Sequence, residues 1–223
     1  QQAHEIDTIE IEGLYSHFAT ADEGDLSYAN DQLNKFNDVL AIAEKLGINP
    51  TFIHCSNSGA ILNLPESRFN MIRVGMLLYG AFPSDEVPQD LPIKPVMTFT
   101  APVVEIRDVK AGTHISYGGV YTTKEDTRIA VVQAGFADGV PRPWYVDGFV
   151  KFKDQNCKIT GRICMDQLMI DVGSADIQYG DEVLIFGANE HGTIDVNEIA
   201  NTINSTSYVL VTAIGIRPKR VYS

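Results

Sequence analysis

Between Pro83 and Pro95 the chain changes its rhythm, and that change limits what it can fold into more than any other feature. Before it, apolar residues recur at helical spacing between short strand-like runs. After it, short β-rich runs follow one another with glycine or aspartate turns between them. The segment itself is rich in Pro, Asp and Glu and reads as a linker. With 223 residues, 44% of them hydrophobic, there is material for one large folded unit or two modest ones.

In the first stretch, Ile9 to Ala19 reads as a buried strand. A helix is expected from about Asn30 to Leu46, where Leu33, Phe36, Leu40, Ala43 and Leu46 recur at three- and four-residue steps. Gly47 and Asn49-Pro50 are its stop signals. Phe52 to Cys55 is the next strand, a helix begins at Ser58 to Leu62, and Met71 to Gly75 is another strand before a helical piece ending at Gly80. Strand alternating with helix is the pattern of a parallel α/β barrel, although three strands cannot close one. In the second stretch the expected strands are Met97 to Val109, Arg128 to Ala134, Gly148 to Phe152, Lys158 to Ile163, Leu168 to Val172 and Glu182 to Phe186. They make an all-β module, interrupted by one helix that Asp195 opens and that runs from Val196 to about Asn204.

A formal charge of −12, with scattered lysines and arginines, argues against nucleic acid and against an anionic membrane surface as partners. Three cysteines, Cys55, Cys157 and Cys164, form no CxxC pair and point to reduced thiols in a cytoplasmic protein. No metal-ligand spacing is apparent. No signal peptide or membrane span is read, although an anchor on a segment before Gln1 stays open.

Arg73 is the first residue to suggest chemistry. It stands in the apolar run Asn70-Met71-Ile72-Arg73-Val74-Gly75, where an unpaired charge is costly and a fixed partner is required. Upstream, His54-Cys55-Ser56-Asn57-Ser58-Gly59 takes a strand into hydroxyl residues and a glycine, which suits either an anion cradle or an ordinary helix cap. Downstream come Ser116-Tyr117-Gly118, Gly135-Phe136-Ala137-Asp138-Gly139 and Gly161-Arg162-Ile163-Cys164-Met165-Asp166. In this order and spacing, from Gly13-Leu14-Tyr15-Ser16-His17-Phe18-Ala19-Thr20-Ala21-Asp22 to Arg217-Pro218-Lys219-Arg220, the segments resemble the alanine racemase family. Its members interconvert L- and D-alanine with pyridoxal 5'-phosphate (PLP).

The resemblance implies a fold and a set of roles. The fold is the last strands and helices of an incomplete PLP-binding TIM-type barrel (residues 1–83), a linker (84–95) and a β-strand-rich C-terminal domain (96–223). Ser58 and the backbone near Gly59, Gly75 and Met76 would bind the cofactor phosphate, with the Tyr208 hydroxyl. Arg73, supported by His54, would face the pyridine nitrogen. Tyr117 would be the second catalytic base, oriented by His17. Met165, through its backbone N–H, and Asp166 would contact the substrate carboxylate and the entrance. Phe136 stands where the family usually has an entrance tyrosine, and Ser207 and Val209 replace the Asn and Glu that usually flank Tyr208. Structural alternatives exist for each: a buried ion pair for Arg73, core filling for Met165, a cross-strand aromatic pair for Tyr117 and Tyr121.

The family's barrel strand with the Schiff-base lysine, in a pattern like Val-Lys-Ala-x-Ala-Tyr-Gly-His, has no counterpart here; Lys35 and Lys45 lie on the expected surface helix. The expectation is therefore the C-terminal part of a racemase that requires an N-terminal barrel segment and works as a homodimer with shared sites on a small amino acid. Serine as substrate, a related PLP decarboxylase and a non-catalytic fragment are the alternative readings.

Overall fold

The structure is a computed structural model that describes residue 6 and residues 8–222. It divides into two compact units, Gln1–Lys94 and Pro95–Ser223.

The first unit is built on two parallel strands, β1 (Gly13–Tyr15) and β2 (Phe52–His54), joined through helix α1 (Ser27–Lys45) and followed by α2 (Ser58–Asn63). Their register sets Leu14 beside Ile53 and Tyr15 beside His54. The heptad-like spacing of α1 turns Ala29, Leu33 and Phe36 inward, where they pack with Phe18, Ala21, Cys55, Ala60 and Leu64. Asn57 caps α2: its Oδ1 accepts from Ala60 N at 3.0 Å. Gly59 has no room for a side chain, because a Cβ there would lie 2.8 Å from the backbone at Ala21 and Asp22.

Two expected strands differ in the structure. Ile9 to Ala19 pairs only over Gly13–Tyr15, because its partner β2 is itself three residues long; Ile9 is exposed. Met71 to Gly75 is not a strand at all. The outer edge of β2 is taken by a side chain instead: Asn70 Oδ1 accepts from Ile53 N, and Asn70 Nδ2 donates to Thr51 O, both at 2.8 Å. One amide thus replaces a strand's ladder bonds. A short 3-10 turn, Met76–Tyr79, follows and ends on Gly80 in the left-handed region (φ 73°). The acidic, proline-rich stretch after it stays with this unit: Gly24 N donates to Glu86 Oε2, Ser84 Oγ donates to Asp22 O, and Val87 is buried.

The second unit is a closed antiparallel sheet. Its strands are β3 (Phe99–Val109), β6 (Thr127–Val132), β7 (Phe149–Phe152), β8 (Gln155–Ile159), β9 (Leu168–Asp171), β10 (Glu182–Asn189) and β11 (Gly192–Ile194). The order is β11-β10-β3-β6-β9-β8-β7, and β7 pairs back onto β10 at Leu184 and Lys151. Alternation along β3 turns Phe99, Ala101 and Val103 inward, onto Val132, Leu168, Ile170, Leu184 and Trp144. Each such large apolar side chain contributes roughly 1.5–3 kcal/mol when fully buried.

Three elements of this unit were not expected. A two-stranded hairpin, β4 (His114–Ile115) and β5 (Tyr121–Thr122), stands apart from the main sheet; β11 extends β10; and a second helix, α4 (Ser207–Ala213), follows α3 (Val196–Thr202). The α4 sequence Ser-Tyr-Val-Leu-Val-Thr-Ala is rich in β-branched residues with poor helix propensity. Tertiary contacts override it: Leu210 and Ser207 are buried, and Arg220 donates to the carbonyls of Ile214 and Gly215 just past the helix end, both at 2.8 Å.

Candidate active site

The residues expected to carry chemistry fall into two sets, one in each unit. In the first unit Arg73 is the hub. Its Nη1 lies 2.6 Å from His54 Nδ1 and 3.2 Å from His54 O. Its Nη2 donates to Ser16 O at 2.7 Å, lies 2.9 Å from His17 Nδ1 and reaches Cys55 O at 3.4 Å. The guanidinium also sits over the Tyr15 ring, 5.6 Å from its centroid. Tyr15 in turn stacks on His54 with centroids 5.4 Å apart and planes 7° from parallel, as their shared register on β1 and β2 dictates. Arg73 thus has the fixed partners its charge demands, and His54 is one of them.

The donor count fixes both histidines. A guanidinium can only donate, so Nδ1 of His54 and of His17 must each accept, which leaves the proton on Nε2 in both neutral rings. Burial, and then the Arg73 charge, hold the His54 pKa below its ordinary value of 6.5. With both Nη groups engaged, Arg73 Nε–H has no partner among the described residues. Burial pushes the neighbouring Cys55 thiol up to about 11 despite the pull of Arg73.

Beside this hub Ser58 is buried and its Oγ accepts from Gly75 N at 3.0 Å, which leaves the hydroxyl proton free to donate elsewhere. Met76, next to Gly75, is buried. Ser58 therefore does not cap α2; Asn57 does.

In the second unit Tyr117 lies at the tip of the β4–β5 hairpin, with 70% of its surface exposed. Two loops meet below it. Phe136 N donates to Cys164 O and Ala137 N to Met165 O, each at 3.0 Å, so the loop bearing Phe136 is stitched to the loop bearing Met165 and Asp166. Gly135 makes this approach possible: its φ of −144° suits any residue, but a Cβ would lie 2.2 Å from Met165 O. Asp138 closes the first loop by accepting from Gly135 N at 2.9 Å. Arg217 then bridges both loops, with Nε 3.2 Å from Asp138 Oδ1 and Nη2 2.6 Å from Asp166 Oδ1. The end of α4 touches the same junction, since a Cβ on Gly139 would collide with Ile214 and Ala213. Tyr208 lies on α4. Arg142 sits over the Phe136 ring at 6.0 Å.

A family model described as "Alanine racemase, N-terminal domain" matches residues 1–83, and one described as "Alanine racemase, C-terminal domain" matches residues 96–222. The chain belongs to the alanine racemase family. The alanine racemase of Desulforamulus reducens is 42% identical over 216 residues, covering 96% of this chain and 58% of that protein. Among solved structures, alanine racemase from the D-cycloserine producer Streptomyces lavendulae superimposes with a TM-score of 0.91 at 39% identity, over 96% of this chain and 56% of that one. Alanine racemase from Bartonella henselae with covalently bound pyridoxal phosphate gives 0.84 at 29% identity, over 96% and 57%. The chain thus spans somewhat over half the length of the racemases it matches.

Within the family frame, two residues of the site geometry were not singled out from sequence. Tyr15 had a signal, since it alternates with His17 along the expected strand Ile9 to Ala19. Arg217 stands in the Arg217-Pro218-Lys219-Arg220 segment, but nothing in the sequence points to its two carboxylate partners, 51 and 79 positions away. Among the described residues no His/Cys/Asp/Glu group could hold a metal ion, and no helix is long and apolar enough to cross a membrane.

Proposed function

We propose that this chain is the C-terminal part of a PLP-dependent alanine racemase, contributing cofactor-binding residues from its first unit and the second catalytic base from its second. The observation that carries this reading is the state of Arg73. A half-buried guanidinium whose Nη groups are both consumed by protein acceptors, with Nε–H left over, is an oriented donor for one more acceptor, and a pyridine nitrogen fits it. Ser58, with its free hydroxyl proton beside Gly75 N–H and Met76, fits a phosphate.

When bound, PLP supplies the electron sink that makes the substrate's α-proton removable. Arg73 hydrogen-bonds the ring nitrogen without giving up its proton, and His54, held neutral, supplies none either. By delivering no proton to the ring nitrogen, Arg73 and His54 would hold a bound cofactor to a modest electron sink and so favour reprotonation at Cα over side reactions. His17, its Nδ1 occupied by Arg73, has only Nε2–H to offer; donated to the Tyr117 phenolate oxygen, it would stabilise the base form. Tyr117 holds or takes the proton on one face of Cα. Met165 N–H and Asp166 orient the substrate, Phe136 narrows the entrance, and Tyr208 adds a hydroxyl at the phosphate. The lysine that binds the cofactor and serves the opposite face is assigned to the portion of the racemases this chain does not span, as are the remaining strands of a barrel to which residues 1–83 belong. Residues 84–95 are the linker and 96–223 the β domain. The names of the relatives favour alanine over serine. A homodimer with each site shared between subunits, acting in the cytoplasm, completes the reading.

The test is Tyr117→Phe in the full-length protein, following solvent-deuterium exchange at Cα from L- and from D-alanine separately. Exchange from one enantiomer should fall by roughly 10²–10⁴-fold while the other persists. Equal losses from both enantiomers, or none, would remove Tyr117 from the chemistry.

A further inference from the structure

We propose that Ser116 is a positioning residue for Tyr117, holding the backbone in a conformation that aims the phenol; this rests on the reading of Tyr117 as the second base. Ser116 has φ 65° and ψ −178°, a region essentially reserved for glycine. A residue with a Cβ stays there only when its surroundings leave no alternative. Those surroundings are on hand. Ser116 Oγ donates to Arg162 O at 2.7 Å and lies 3.6 Å from Cys164 Sγ. Gly161 makes room for the pair, since a Cβ there would come within 2.7 Å of Ser116 Cβ and 2.6 Å of Ile115 O. On the far side of Tyr117, Gly118 also has positive φ (76°), and a Cβ on it would be 3.1 Å from the Arg162 guanidinium. The hairpin is closed by Ile115 opposite Tyr121, whose hydroxyl reaches Asp171 on β9 at 3.4 Å.

Tyr117 itself is held by none of this through its side chain. Among the described residues no hydrogen bond reaches its phenol, so within this unit its direction is set by the backbone on either side. Ser116 is the only member of that four-residue tip, Ser116 to Gly119, that is strained rather than merely permissive. Its hydroxyl bond couples the hairpin to the Arg162-to-Asp166 loop, so the base and the substrate-orienting loop share one anchor.

The test compares Ser116→Ala, Ser116→Gly and Tyr117→Phe in the full-length enzyme. It reads Cα deuterium exchange from each enantiomer and, without substrate, amide hydrogen exchange across residues 114–122. Alanine keeps the strain and loses the bond that holds it. Ser116→Ala should therefore lower the Tyr117-dependent exchange about tenfold or more, leave the opposite enantiomer within about twofold, and loosen the hairpin amides. Glycine occupies the same backbone region freely, so Ser116→Gly should stay within about threefold of wild type. At an ordinary loop position the order is reversed, because glycine adds unfolded-chain freedom. Glycine no better than alanine, or equal losses from both enantiomers, would overturn the proposal. If Ser116→Ala does not fold, a tenfold directional loss in Ser116→Gly overturns it and a near-native ratio supports it. A Tyr117→Phe enzyme with no directional loss would instead refute the base assignment and take the positioning role with it, whatever the two serine variants do.

Discussion

Gly135→Ala probes the junction under the proposed entrance most directly, because its cost is steric and local. The backbone at Gly135 is ordinary for an L-residue, so no conformational penalty enters; the new methyl would meet Met165 O at 2.2 Å and Cys164 O at 2.4 Å. Neither atom belongs to a flexible side chain, so the two loops must part. Parting them breaks the Phe136–Cys164 and Ala137–Met165 backbone bonds, worth about 0.5–1.5 kcal/mol each, beside an overpacking cost of about 1–3 kcal/mol. The total is about 2–6 kcal/mol, and at roughly 2 °C per kcal/mol, the low end for a large protein, the apparent Tm should drop by about 4–12 °C. Differential scanning calorimetry of the full-length protein reads this, with Gly215→Ala as the control. A Cβ on Gly215 meets nothing within 4 Å, so that variant should stay within about 2 °C of wild type. Equal Tm values for the two variants would refute the close-approach argument.

Three further outcomes are expected. His54 should titrate below 6.5 by NMR: the unfolded chain takes the proton first, so this group's contribution to stability is present above about pH 6.5 and is lost as pH falls toward its depressed value. A normal or raised value would refute the disfavouring of the imidazolium by burial and the Arg73 charge. Cys55 and Cys157, each pushed up to about 11 by burial, should resist iodoacetamide at pH 8 in the native protein and react once it is unfolded, as read by mass spectrometry. Mixing full-length Tyr117→Ala with a variant lacking the cofactor lysine should restore about a quarter of the sites after random subunit exchange. No recovery would put both bases on one chain.

Helix α1 and the strands of the β unit were legible because burial on one face imprints a period on the sequence. Leu33 and Phe36 mark the inner face of α1, and Phe99, Ala101 and Val103 that of β3. What misled the reading was pairing, which periodicity does not encode. Met71 to Gly75 has the composition of a strand but lies beside an edge that Asn70 has already satisfied. Helix α4 was invisible because Leu210 packing and Arg220 outweigh its β-branched residues. For the candidate site, the need for partners around Arg73 followed from its charge in an apolar run. Of those partners the family resemblance named His54; His17 and the three backbone carbonyls of Ser16, His54 and Cys55, 57, 19 and 18 positions away, were not foreseen.

The ring of six strands also bears on solubility. Because β7 returns to β10, the sheet offers no long row of unpaired amides and carbonyls to a stranger; the remaining edge is β11, three residues long. The first unit is similarly limited. One side of β2 is sealed by Asn70, and β1, likewise three residues long, pairs with nothing except β2 among the described residues. The unpaired edges that these two sheets leave are thus each three residues long, too short to give another chain much of a ladder.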